Sequence, residues 1–111
     1  MANQEIQLVP EIGLRSPAAI RHDGICRKVL INPVQWLFIP PEQREFIILH
    51  ELAHCENDVF DEAEADRIAF YEFIQSGGCP EDAIGAVADN LDRNRPEVQK
   101  RIDLLHQYAD M

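Results

Sequence analysis

The apolar positions of this chain change period along its length. Near the start they are short and interrupted. Ile6, Leu8 and Val9 suit one brief strand, and Pro10 and Pro17 break any longer element. Asp23-Gly24 then separates the run Ala19 to His22 from the run Ile25 to Ile31, a pattern that predicts a β-hairpin with its second strand near 25–31. From Asn32-Pro33 onward the period becomes helical. Asn32 can cap, and Pro33 suits a first helical position. That short helix is expected to turn Val34, Trp36 and Leu37 inward before Pro40-Pro41 ends it.

A second helix is expected from Pro41 or Glu42 to about Asn57, with Phe46, Ile48, Leu49, Leu52 and Ala53 at core spacing. A third should run from about Asp61 to Ser76, burying Ala65, Ile68, Ala69 and Phe73, and Gly77-Gly78 should stop it. A fourth begins at Cys79-Pro80 and ends near Arg93. A fifth begins at Arg95-Pro96 and buries Val98, Ile102 and Leu105. Short strands followed by helices predict an α+β fold: a small N-terminal antiparallel sheet packed on helices, in a single domain over 1–111.

Composition narrows the partners. The 111 residues include 20 acidic and 10 basic ones, for a net charge of −10. Such a chain lacks the clustered Lys and Arg that nucleic-acid backbones or anionic membranes require, so neither is expected as a partner. Its start has no basic end followed by an apolar run, and no stretch is long enough to span a bilayer, which together predict a cytoplasmic protein. Three cysteines, Cys26, Cys55 and Cys79, fit reduced thiols there.

One segment carries chemistry. His50-Glu51-Leu52-Ala53-His54 is an H-E-x-x-H sequence inside a strongly helical pattern. Four residues of α-helix turn through about 400°, so His50 and His54 share a face and can reach one Zn2+. Glu51 lies about 100° further round. There it can take a proton from water without binding the metal. A third protein ligand is expected, and Glu56, Asp58, Asp61, Glu62, Glu64 and Asp66 are the acidic candidates downstream. The longer metzincin pattern fails, because Asn57 and Phe60 stand where it needs Gly and His.

Glu62-Ala63-Glu64-Ala65-Asp66 after the H-E-x-x-H resembles the gluzincin zinc metallopeptidases. The nearest likeness is to the catalytic core of the CAAX prenyl endopeptidase branch, reduced to a compact minigluzincin. The similarity extends over about residues 27–105, through Val29 to Pro33, Arg67 to Pro80, and Arg95-Pro96 to Arg101-Ile102. Arg95 stands where the family usually has His. The resemblance implies Glu62 as third zinc ligand and Asp66 as the residue orienting a ligand histidine. A tight helical hairpin through Asn57 to Phe60 agrees with this assignment. It brings Glu62 to the His54 end and Asp66 opposite His50. Glu64 and Asp61 are the alternatives for the ligand.

Other residues receive plainer readings. Cys55 points away from the ligand face and reads as an ordinary thiol. His22 and His106 are not assigned to metal, and Trp36 reads as core. Arg101, His106, Tyr71 and Tyr108 are candidate donors to an oxyanion. The expected activity is zinc-dependent hydrolysis of peptide or protein substrates, with an extended peptide added to the strand near 25–31. Residues 1–17 or 106–111 are the candidates for a covering segment. The alternatives are a catalytically silent zinc module, against which the retained Glu51 counts, and an acidic binding partner of a basic target.

Overall fold

A computed structural model describes residues 6–20 and 28–111. The Asp23-Gly24 turn, His22 and Cys26 lie outside the described residues. Among the described residues three strands, β1 (Gln7–Pro10), β2 (Ala18–Ile20) and β3 (Lys28–Ile31), precede five helices: α1 (Pro33–Leu37), α2 (Pro41–Glu56), α3 (Glu62–Gln75), α4 (Pro80–Ala88) and α5 (Pro96–Ala109). The expected α+β architecture is therefore present. β2 pairs antiparallel with β3, aligning Ala18 with Ile31 and Ile20 with Val29. β1 adds in parallel on the other side, aligning Gln7 with Lys28. The strand order β1-β3-β2 places β3 in the middle. Over residues 28–31 the middle strand has no edge to offer an extended peptide, and residues 25–27 of the expected strand lie outside the described residues. Among the described residues the sheet edges belong to β1 and β2.

Asn32 connects sheet to helices. Its Oδ1 accepts from the backbone N–H groups of Val34 and Gln35, while its Nδ2 donates to the Leu14 carbonyl. One buried side chain thus caps α1 and ties down the loop after β1. Only Trp36 of α1 is buried, whereas Val34 and Leu37 are exposed, contrary to expectation. Five residues make little more than one turn, and successive residues diverge by about 100°, so the turn that buries Trp36 faces Val34 and Leu37 outward. The Arg44 guanidinium lies 5.8 Å from the Trp36 ring and closes over it.

Two apolar clusters result. One joins the sheet to α1 and α2 through Val29, Ile31, Trp36, Ile39 and Leu52. The other lies among α2 to α5, with Phe46 and Phe73 edge to face at 5.7 Å. Helix α2 contributes to both clusters and so is fixed on two sides. Helix α4 ends at Ala88 rather than near Arg93. The Asn90 side chain donates to the Ala86 carbonyl and to Gln43 Oε1, replacing with a side chain the bond that a further turn would have made.

Candidate metal centre

The site sits where α2 meets the start of α3. Helix α2 closes with a Schellman motif: Val59 N–H donates to the His54 carbonyl and Asp58 N–H to the Cys55 carbonyl. Asp58 occupies the left-handed position, with φ of 53°. The chain reverses there, and Asp61 begins α3 by accepting the Glu64 N–H on its side chain. The reversal puts Glu62, in the first turn of α3, against the end of α2.

His50, His54 and Glu62 converge. His50 Nε2 is 3.1 Å from His54 Nε2 and 3.3 Å from Glu62 Oε1, and His54 Nε2 is 2.5 Å from the same oxygen. Ligands at about 2.0–2.1 Å from a tetrahedral ion stand about 3.3 Å apart. Two edges of the triangle match that spacing, and the third is tighter. These three residues lie close enough to bind one metal ion.

The other candidate ligands are elsewhere. Asp58 makes the turn, Asp61 caps α3, and Glu64 pairs with Arg67 on the surface. Glu51 Oε2 is 4.0 Å from His50 Nε2, beside the triangle rather than part of it.

Each histidine is held from behind. His50 Nδ1 is 2.7 Å from Asp66 Oδ1, a close contact bent away from a straight N–H···O line. Asp66 is almost wholly buried and takes a two-pronged contact from Arg101 of α5, Nε to Oδ2 at 2.6 Å and Nη2 to Oδ1 at 2.9 Å. His54 Nδ1–H donates to the Val59 carbonyl at 2.7 Å, which leaves its Nε2 for the centre. Asp66 lies opposite His50, where the hairpin geometry places it. Its pairing with Arg101, and the Val59 carbonyl behind His54, are not predicted by the sequence. A backbone carbonyl leaves no side-chain mark in a sequence, and the partner on α5 depends on tertiary packing.

No known family, curated protein or solved structure matches this chain.

The centre is rich in negative charge. Burial on its own would push His50 down. The close contact of Asp66 and the hydrogen bond of Glu62, with the charges of Asp66 and Glu51, outweigh burial and raise it to about 9. Glu62 is held down to about 2, first by its hydrogen bond to His50 and then, against some burial, by the charges of His50, Arg101 and His54. Burial raises Glu51, partly offset by the two histidines. Three carboxylates converge with one arginine, so a proton on His50 balances charge that a divalent cation would balance better.

A cavity of about 240 Å3 opens beside the triangle. Its walls include Ala18 and Ala19 of β2, Phe46, His50 and Glu51 of α2, and Val87 of α4. Of the four candidate oxyanion donors only Arg101 lines it, and residues 106–111 do not. Ser16 and Pro17 form part of one wall.

One cysteine departs from expectation. Cys55 is disulfide-bonded rather than a thiol, while Cys79 is free and exposed. Cysteine count and spacing did not show a cross-link that depends on which segments the fold brings together. Among the described residues no helix is long and apolar enough to cross a membrane.

Proposed function

We propose that this chain is a zinc-dependent peptidase of the gluzincin type, with His50, His54 and Glu62 as ligands and Glu51 as general base. The observation that carries the reading is the position of Glu51. It lies one residue from a ligand candidate, outside the ligand triangle, and lines the cavity that a substrate would enter. A purely structural metal site has no use for a partly buried carboxylate there.

The donor set suits zinc: His50 and His54 would hold it through imidazole nitrogens and Glu62 through a carboxylate oxygen, beside the cavity that Glu51 lines. When bound, zinc supplies a Lewis acid and brings the ionisation of water close to neutral pH. The protein's own residues do the rest. Glu51 accepts the proton of the attacking water and returns it to the leaving amine. Its burial, which raises its proton affinity, suits both halves of that transfer. Asp66 holds the His50 ring, and the Val59 carbonyl holds His54. An extended peptide can add to the edge of β2, whose Ala18 and Ala19 line the same cavity as Glu51.

The test is metal analysis of the purified protein with digestion of a mixed-peptide pool, with and without chelator. Wild-type protein should carry about one zinc per chain and cleave. Glu51→Gln should keep its zinc and lose hydrolysis by about 10²–10⁴-fold. Cleavage by Glu51→Gln at the wild-type rate would refute the hydrolase reading.

A further inference from the structure

Arg101 faces two carboxylates. Its Nε and Nη2 engage both oxygens of Asp66. Its third nitrogen, Nη1, lies 3.6 Å from Glu62 Oε2. The two oxygens of Glu62 therefore face different ways: Oε1 toward His50 and His54, Oε2 toward the guanidinium. The Arg101 side chain is only 11% exposed and fixed by its fork on Asp66, whereas Glu62 is 56% exposed. The arginine is the rigid partner and the glutamate the adjustable one.

We infer that Arg101 is a positioning residue that divides the Glu62 oxygens, leaving Oε1 for the metal and engaging Oε2. The inference rests on the metal-site reading above. A carboxylate free to rotate can bind an ion through both oxygens. At this site the second oxygen would take up coordination space needed by water or substrate. Drawing Oε2 aside keeps Glu62 a one-oxygen ligand and the coordination number low, as a catalytic zinc site requires. It also makes the metal's geometry depend on α5, which contributes no ligand.

The experiment uses Zn2+ and Co2+ as probes on the full chain. Wild-type protein with Co2+ should show the intense visible absorption of a four-coordinate ion. In Arg101→Met that absorption should weaken as Glu62 turns to bind through both oxygens. Zinc affinity, measured by chelator competition, should fall by about 10–100-fold. Removing Arg101 also strands the buried Asp66 charge, so Arg101→Lys is the second variant. It keeps the charge but lacks the planar fork needed to serve two carboxylates. Its chelated form should melt near wild type while its Co2+ absorption weakens like that of Arg101→Met. A merely structural arginine would lower the melting temperature and leave the spectrum unchanged. Wild-type absorption and zinc affinity in Arg101→Lys would overturn the inference while leaving the peptidase reading intact. Failure of wild-type protein to take up either ion would overturn both.

Discussion

His50 and His54 aim the same nitrogen at the same point, but the two halves of the centre are built differently. The inner half is made of side chains. His50 is buried, Asp66 stands behind it, and Arg101 stands behind Asp66. The outer half is made of backbone. His54 is held by the Val59 carbonyl, and Val59 is placed by the turn that ends α2. A side-chain relay can be cut by one substitution and responds to charge. A backbone support survives substitution at its own position and yields only when the chain conformation changes. The inner half should therefore be the sensitive one, and four measurements test that contrast.

The largest effect belongs to the residue both halves share. Glu62 Oε1 contacts both histidines, so Glu62→Ala removes the one candidate ligand that both halves share. It should lose zinc beyond the ~10–100-fold typical of changes behind the ligands. Chelator competition measures this. If Glu62→Ala keeps zinc while Glu64→Ala or Asp61→Ala loses it, the centre is built from different residues and the contrast falls with it.

Asp66→Ala comes next and acts on the inner half alone. It frees the His50 ring and leaves Arg101 buried without its main partner. Zinc affinity should drop by about 10–100-fold. The chelated protein should lose about 3–5 kcal/mol, the usual cost of breaking a buried ion pair from one side. Denaturant titration of the chelated form gives the second number. A stability unchanged from wild type would show that the relay carries no structural load.

Much of this inner half was legible beforehand. The spacing of His50 and His54 is a property of any α-helix, and Asp66 lies one helical turn beyond Glu62, so a hairpin aligns the two pairs. Val59 was not legible, because its contribution is a carbonyl that every residue possesses. The same division holds for the fold. Caps at Asn32 and Asp61 and the stop at Gly77-Gly78 follow from residue types with well-defined backbone preferences. The early end of α4 depends on Asn90 meeting Gln43 of α2, and the parallel pairing of β1 depends on which edge of β3 is open. Both are decided by tertiary contacts rather than by local pattern. The Cys55 disulfide is legible only as a possibility for the same reason.

The inner half should also set the pH dependence. In the chelated protein His50 keeps its proton up to about 9 because Asp66, Glu62 and Glu51 face it, even though Arg101 stands nearby and burial opposes the charge. Its folded value lies above its ordinary value of 6.5. The stability it contributes is thus complete below about 6.5 and is lost as pH rises through about 9. Glu62 has the opposite sign. Its contribution is present above about 4.5 and is lost as pH falls through about 2, weakened by its exposure. A zinc ion bound through His50 would have to displace its proton, so apparent affinity should rise about tenfold per pH unit between 7 and 9 and then level off. Affinity that stays flat across this range would mean that His50 is already neutral and that the inner half lacks the excess negative charge assigned to it.

The smallest effect tests the outer half. Asp58 holds a left-handed φ of 53°, a conformation that costs an L-residue roughly 1–2 kcal/mol and glycine almost nothing. The corresponding position at the end of α3 is Gly77, with φ of 96°. Both turns have the same bonding pattern, with Gly78 N–H donating to the Phe73 carbonyl just as Val59 N–H donates to His54. Asp58→Gly should therefore raise stability by up to ~1 kcal/mol and leave zinc affinity at the wild-type value, since the Val59 carbonyl stays in place. Asp58→Val places a β-branched side chain in the disfavoured conformation. It should lower stability by ~1–2 kcal/mol and, by loosening the carbonyl behind His54, weaken zinc binding several-fold. Melting curves of the chelated protein and chelator competition separate the two effects. If Asp58→Val lowers the melting temperature but binds zinc as tightly as wild type, the Val59 carbonyl does not orient His54, and only the inner half of the centre is pre-organised.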